Sequence, residues 1–111
     1  MRIEITHTKL ESSDSLIAYA EKRMQLLEKF LKRLEQGTEA VCYLELARTT
    51  KHHKKGDVYY AEASIEVSGK KIRATSTASD MRVALDDVKE KLEQELRKDK
   101  GKELAQRRVL L

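Results

Sequence analysis

The chain has 111 residues, 40% hydrophobic and 38% charged, with 23 Lys+Arg against 19 Asp+Glu and a formal net charge of +4. That length suits one domain with a thin core rather than two, and a charged fraction well above the usual quarter makes surface outweigh interior. No run approaches the roughly 20 apolar residues of a membrane span, the opening MRIEITHTKLESSDS lacks a signal peptide's apolar stretch, and the lone Cys42 cannot close an internal disulfide, so a soluble, reducing, cytoplasmic setting is expected.

The first element is a strand over residues 2–6 (RIEIT), whose strict alternation puts Ile3 and Ile5 on one face. Ser13 then offers a helix N-cap, and Asp14 places negative charge at the positive end of the helix dipole. From Ser15 the period changes: Ile17, Ala20, Met24, Leu27, Leu31 and Leu34 recur at spacings of three and four. This predicts one helix of about 22 residues, roughly 33 Å long, stopped at Gly37. Its charges are sorted, with Glu21, Glu28 and Glu35 along one edge of the stripe, Lys22, Lys29, Lys32 and Arg33 outward, and Arg23 at the opposite edge.

Residues 39–48 read as a second strand with Cys42, Leu44 and Leu46 toward the core, followed by an exposed hairpin loop, TTKHHKKG. VYYAEASIEV alternates again, with Ala61, Ala63, Ile65 and Val67 inward. A tight turn at Gly69 leads to a last strand with Ile72 and Ala74 inward and Lys71 and Arg73 outward. Ser79 or Asp80 caps a second helix, whose buried stripe is Met81, Leu85, Val88, Leu92 and Leu96. Residues 1–102 form the domain. Residues 103–111 form a basic and apolar tail, loosely ordered or resuming the helix after a break at Gly101.

The order β-α-β-β-β-α predicts an α+β, two-layer sandwich. A four-stranded sheet, its first two strands parallel and the rest a meander, carries both helices on one face.

Catalytic signatures do not surface: there is no phosphate-binding glycine loop, nucleophile elbow or CxxC pair, and no enzyme, cofactor or small-molecule substrate is expected. Cys42 sits in an apolar alternating run and reads as a small core residue. The adjacent His52 and His53, beside Lys51, Lys54 and Lys55, admit three readings: a metal or proton-transfer site, a polar loop touching phosphate, or a solvated loop. A metal site is the weakest of these, because lysines surround the pair and His7 is the one further histidine.

Basic residues collect on the first helix, in the hairpin, on the last strand and toward the end of the second helix. Each Lys or Arg that neutralises a phosphate releases counterions and adds salt-sensitive affinity. One Phe, four Tyr and no Trp give little for stacking unpaired bases. Shape and backbone recognition of folded RNA is the better match. The alternative for any one cation is an ordinary solvated side chain.

The order of elements and several stretches resemble one family, the ribosome hibernation-promoting factors or ribosome-associated inhibitor A (sigma-54 modulation protein family), in its short form. The opening through Leu27-Glu28-Lys29 is similar to that family's. The stretch YAEASIEVSGKKIRATSTASDMRVALDDVKEKLEQELRKDKGK is the stronger match, with Asp80-Met81, Ala84-Leu85-Asp86 and Lys91-Leu92 in order. The resemblance implies a fold related to double-stranded RNA-binding domains. It also implies docking on the small ribosomal subunit and its rRNA, within the whole ribosome, over the decoding region, where occupancy blocks tRNA and mRNA, inhibits translation and preserves idle ribosomes.

Carried onto matching positions, it implies RNA contacts at Arg23, Lys29, Arg33, Lys91, Lys98 and Lys100. Further contacts are expected at Lys22, Arg48, Lys51, His52, His53, Lys54, Lys55, Arg73 and Arg97. Leu26 and Gln94 stand where the family commonly has a basic residue, and Arg82 where it commonly has tyrosine. The competing class is a protein-interaction module regulating the transcription machinery. The RNA reading expects a cationic rim that neighbouring carboxylates do not neutralise.

Overall fold

The computed structural model describes residues 1–49 and 58–110, with side chains as far as Lys98. Its elements are β1 (Arg2–Thr8), α1 (Asp14–Gln25), α2 (Glu28–Leu31), β2 (Val41–Arg48), β3 (Tyr59–Val67), β4 (Lys70–Ala78) and α3 (Met81–Leu110). The strands form one sheet in the order β1-β2-β3-β4. β1 runs parallel to β2, and the other pairs are antiparallel. The expected α+β sandwich is therefore the fold, with its first helix divided in two.

Alternation decides which side of the sheet is covered. Cys42, Leu44 and Leu46 of β2, Ala61, Ala63, Ile65 and Val67 of β3, and Ala74 and Ala78 of β4 are all buried. The helices close over them with Ala20, Met24, Leu27 and Leu31 on one side and Met81, Ala84, Leu85, Val88, Leu92 and Leu96 on the other. Small residues dominate where α3 crosses β3 and β4. Ala63 lies opposite Ala74, which lets the helix approach the sheet closely.

Caps fix the helix starts. The Ser13 hydroxyl accepts the Leu16 N–H at 3.1 Å, as expected. Of the two candidates for α3, Asp80 is the cap: its carboxylate accepts the Arg82 N–H at 2.8 Å and its carbonyl the Ala84 N–H at 3.1 Å. The β3–β4 turn has positive φ at both central residues, Ser68 (49°) and Gly69 (77°), the two-residue type I′ geometry. Ser68 tolerates it while its hydroxyl donates to the Leu34 carbonyl at 2.5 Å, tying the hairpin to the segment after α2.

Three expectations need correction. The single 22-residue helix is two: Leu27 N–H donates to Met24 O, and Phe30 N–H to Leu27 O, both at 3.0 Å, a three-residue tightening that ends α1. No Gly or Pro marks that point, so propensity alone could not show it. Ile17, read as the start of the buried stripe, is half-buried; Leu16 and Tyr19 pack on the core instead. Finally, α3 runs through Gly101 to Leu110 without a break. One glycine costs a helix interior only about 1 kcal/mol, and the good helix formers around it, from Lys100 and Lys102 to Ala105 and Gln106, offset that.

Candidate nucleic-acid interface

Helix phase sorts the cations of α3 onto two flanks, separated by the exposed ridge of Val83, Glu90 and Gln94. The first flank faces α1 and α2. Here Arg23 Nε lies 2.8 Å from Asp86 Oδ1 and 3.2 Å from the Tyr19 hydroxyl, while Tyr19 donates to the same Asp86 oxygen at 2.6 Å. Arg82 donates to the Ser15 hydroxyl at 3.0 Å, and its guanidinium, like that of Arg23, sits 5.4 Å from the Tyr19 ring centre. Two turns further on, Phe30 of α2 lies between Lys29 (5.2 Å) and Arg97 (5.5 Å). Glu93, 12% exposed, takes Lys89 at 2.7 Å and Arg97 at 3.0 Å. The Lys89 hydrogen bond is the main reason its carboxyl titrates below the usual glutamate value.

The second flank faces β4. Lys91 donates to the Thr75 carbonyl at 2.8 Å and lies 3.1 Å from Asp87. A hydrogen bond from Ser76, and then that from Lys91, hold the Asp87 carboxyl below its ordinary range. Lys98 lies 3.5 Å from Glu95.

The six residues implied as RNA contacts therefore do not form one patch. Arg23 and Lys29 belong to the first flank, joined by Arg97, and Arg33 is half-buried just after α2. Lys91 and Lys98 lie across the helix. Lys100 is in the helical part of α3 where side chains are not described. Among the further candidates, Lys22 is exposed on α1 and Arg48 lies over the Tyr59 ring at 6.0 Å at the end of β2. Arg73 is on the uncovered face of the sheet, 2.8 Å from Glu62, and so apart from both helix flanks. Lys51, His52, His53, Lys54 and Lys55 lie outside the described residues.

The rim is also not free of carboxylates: Arg23, Lys91, Arg97 and Lys98 each have one as neighbour. That corrects the expectation of an unneutralised surface. The i,i+4 pairs Asp87–Lys91 and Glu93–Arg97 were legible from spacing. The Arg23–Asp86 contact, between helices 63 residues apart in sequence, was not. Sequence reasoning also passed over Phe30 as an anchor between two cations.

Charge bookkeeping locates the surplus. Lys51, Lys54 and Lys55 against Asp57, with Lys100, Lys102, Arg107 and Arg108 against Asp99 and Glu103, make up the whole +4. The remainder of the chain carries as many acids as bases.

Cys42 is fully buried on β2, and burial pushes its thiol up to about 12, which suits a core residue and not a nucleophile. Among the described residues no three His, Cys, Asp or Glu side chains converge on a metal-sized site, and no helix is long and apolar enough to cross a membrane.

Known proteins share this architecture. The N-terminal domain of Thermus thermophilus Protein Y superposes with a TM-score of 0.70 at 22% identity, covering 88% of this chain and 98% of that one. A ribosomal subunit interface protein from Coxiella burnetii gives 0.68 at 22% identity, covering 91% and 99%. The ribosome hibernation promotion factor of Lactococcus lactis subsp. cremoris (strain MG1363) is 29% identical over 100 residues, 90% of this chain. The chain spans about half the length (50%) of that relative. Residues 3–103 match the model of one family, and with nearly the whole domain covered, the chain belongs to the sigma 54 modulation protein / S30EA ribosomal protein family.

Proposed function

We propose that the chain is a ribosome hibernation factor. It docks on the small ribosomal subunit near the decoding region, occludes tRNA and mRNA, inhibits translation and preserves idle ribosomes, without turnover. The observation that carries this reading is the first flank, where Arg23, Lys29, Arg82, Lys89 and Arg97 outnumber Asp86 and Glu93, in a chain whose family description names a ribosomal protein. Arg23, Lys29 and Arg97 on one side and Lys91 and Lys98 on the other, with Arg33 after α2 and Lys100 further along α3, meet phosphates of folded rRNA. The carboxylate neighbours do not preclude this. Exposed ion pairs are worth only about 0–1 kcal/mol, so an rRNA phosphate displaces a neighbouring Glu or Asp at small cost. The net positive segments at 50–57 and 99–111 bias encounter toward a polyanion.

The test is co-sedimentation with purified small subunits across a salt series, together with translation in an extract. Association that weakens steeply with salt, and inhibition that follows it, support the reading. Reversing Lys29 and Arg97 to Glu, and separately Lys91 and Lys98, assigns the docking flank. Unchanged association in both pairs refutes the proposed surface. The family description also names sigma 54 modulation; binding to a transcription protein with no ribosome association would favour that second reading.

A further inference from the structure

The two edges of the sheet are treated differently. At the β4 edge, Lys91 of α3 donates to the outward Thr75 carbonyl at 2.8 Å, and Asp87 bonds the Ser76 side chain, so a helix guards that edge. β1 has no such guard. Arg2 N–H donates to Ala40 O at 2.9 Å, which turns the even-numbered residues of β1 toward β2. Ile3, Ile5 and His7 consequently point their N–H and C=O groups away from the sheet, and no described residue pairs with them. The strand carries no Pro, Gly or Lys of the kind that blunts an edge. Its helix-side residues Met1, Ile3 and Ile5 are left half-buried against the core.

The charges of this edge are self-complementary. Arg2 and Glu4 project from the uncovered face, two residues apart, 57% and 51% exposed, with Arg2 Nε 3.5 Å from Glu4 Oε1. In an antiparallel pairing of two β1 strands about Ile3, each Arg2 falls directly opposite the other copy's Glu4. These are the non-hydrogen-bonded positions, where side chains approach most closely. Ile3 meets Ile3 on the helix side, and Ile5 faces the side chain of Met1, whose ammonium stays with Glu28 (3.0 Å) and Glu35 (3.6 Å) of its own chain. Shifting the centre to Glu4 sets two glutamates face to face. Shifting it to Ile5 pairs both charges with threonines.

We propose that the β1 edge binds a second copy of this chain, antiparallel and centred on Ile3, to make a continuous eight-stranded sheet with all helices on one side. The interface leaves both flanks of α3 uncovered, so it neither requires nor excludes docking on RNA.

The experiment is sedimentation equilibrium of the wild-type chain and four charge combinations, with circular dichroism and thermal unfolding confirming that each variant folds. The wild type dimerises with a dissociation constant between about 10 μM and 1 mM, as suits a small interface. Arg2→Glu and Glu4→Arg each place like charges opposite twice, and weaken association by about tenfold or more. The reciprocal prediction is the decisive one. An equimolar mixture of the two single variants forms a heterodimer, and the double variant R2E/E4R recovers the homodimer. A wild type that stays monomeric up to about 1 mM, or single variants that dimerise as well as the wild type, overturns the proposal.

Discussion

Cys42 gives the core a built-in pH probe. Its side chain is fully buried on β2, and burial pushes the thiol from its ordinary 9.0 to about 12. The unfolded chain releases this proton at lower pH than the folded chain does. The stability held by the protonated thiol is therefore intact below pH 9.0 and is lost progressively as pH rises toward about 12. At about 1.4 kcal/mol per pH unit beyond the first titration, the loss is negligible at pH 8, about 1.4 kcal/mol at pH 10, and approaches about 4 kcal/mol at the top of the window. The perturbation that isolates it is Cys42→Ala, whose packing cost is independent of pH and whose lysines and tyrosines titrate as in the wild type. Urea unfolding of both chains under reducing conditions, at pH 8 and pH 10, reads the difference directly. The wild type is expected to lose about 1.4 kcal/mol more than the variant over that interval. Parallel losses would refute the reasoning: the thiolate would then have to be solvated or paired on the inner face of β2.

Three further outcomes are expected. Gly69→Ala should cost about 1–2 kcal/mol in urea unfolding, since nothing lies within 4 Å of the added Cβ and the whole effect is the φ of +77°. Gly69→Asn, better suited to that conformation, should cost less. Leu92→Ala, at a fully buried position where α3 faces the sheet, should cost about 2–5 kcal/mol in the same assay. Glu93→Gln removes the carboxylate shared by Lys89 and Arg97; co-sedimentation with small subunits should tighten by about two- to tenfold with a steeper salt dependence. Weakened binding would show that Glu93 holds those cations in their working geometry.

Much of the site was half legible. The i,i+4 spacing of Asp87 with Lys91 and of Glu93 with Arg97 is written in the sequence, and it carried the warning that the cations would have neighbours. Which residues of α1 and α2 stand beside the cations of α3 was not written there. Arg23 meets Asp86, and Arg97 meets Phe30, because α1–α2 and α3 lie side by side on the sheet. Arg73 reads as outward from its strand, yet outward on β4 means the face opposite the helices.

Period and punctuation, by themselves, determined the order of elements, the inward face of each strand and the cap at Ser13. These are local properties: side chains alternate along a strand, recur at 3.6 along a helix, and a hydroxyl reaches only its own first turn. The tertiary structure alone decided the break between α1 and α2, the passage of α3 through Gly101, the placing of Arg23 and Lys29 beside one flank of α3 and the contrast between a guarded and an open sheet edge. Each of these depends on what a neighbouring element supplies, such as Thr75 for Lys91 or Asp86 for Arg23, and such distances across the chain leave no mark in its local pattern.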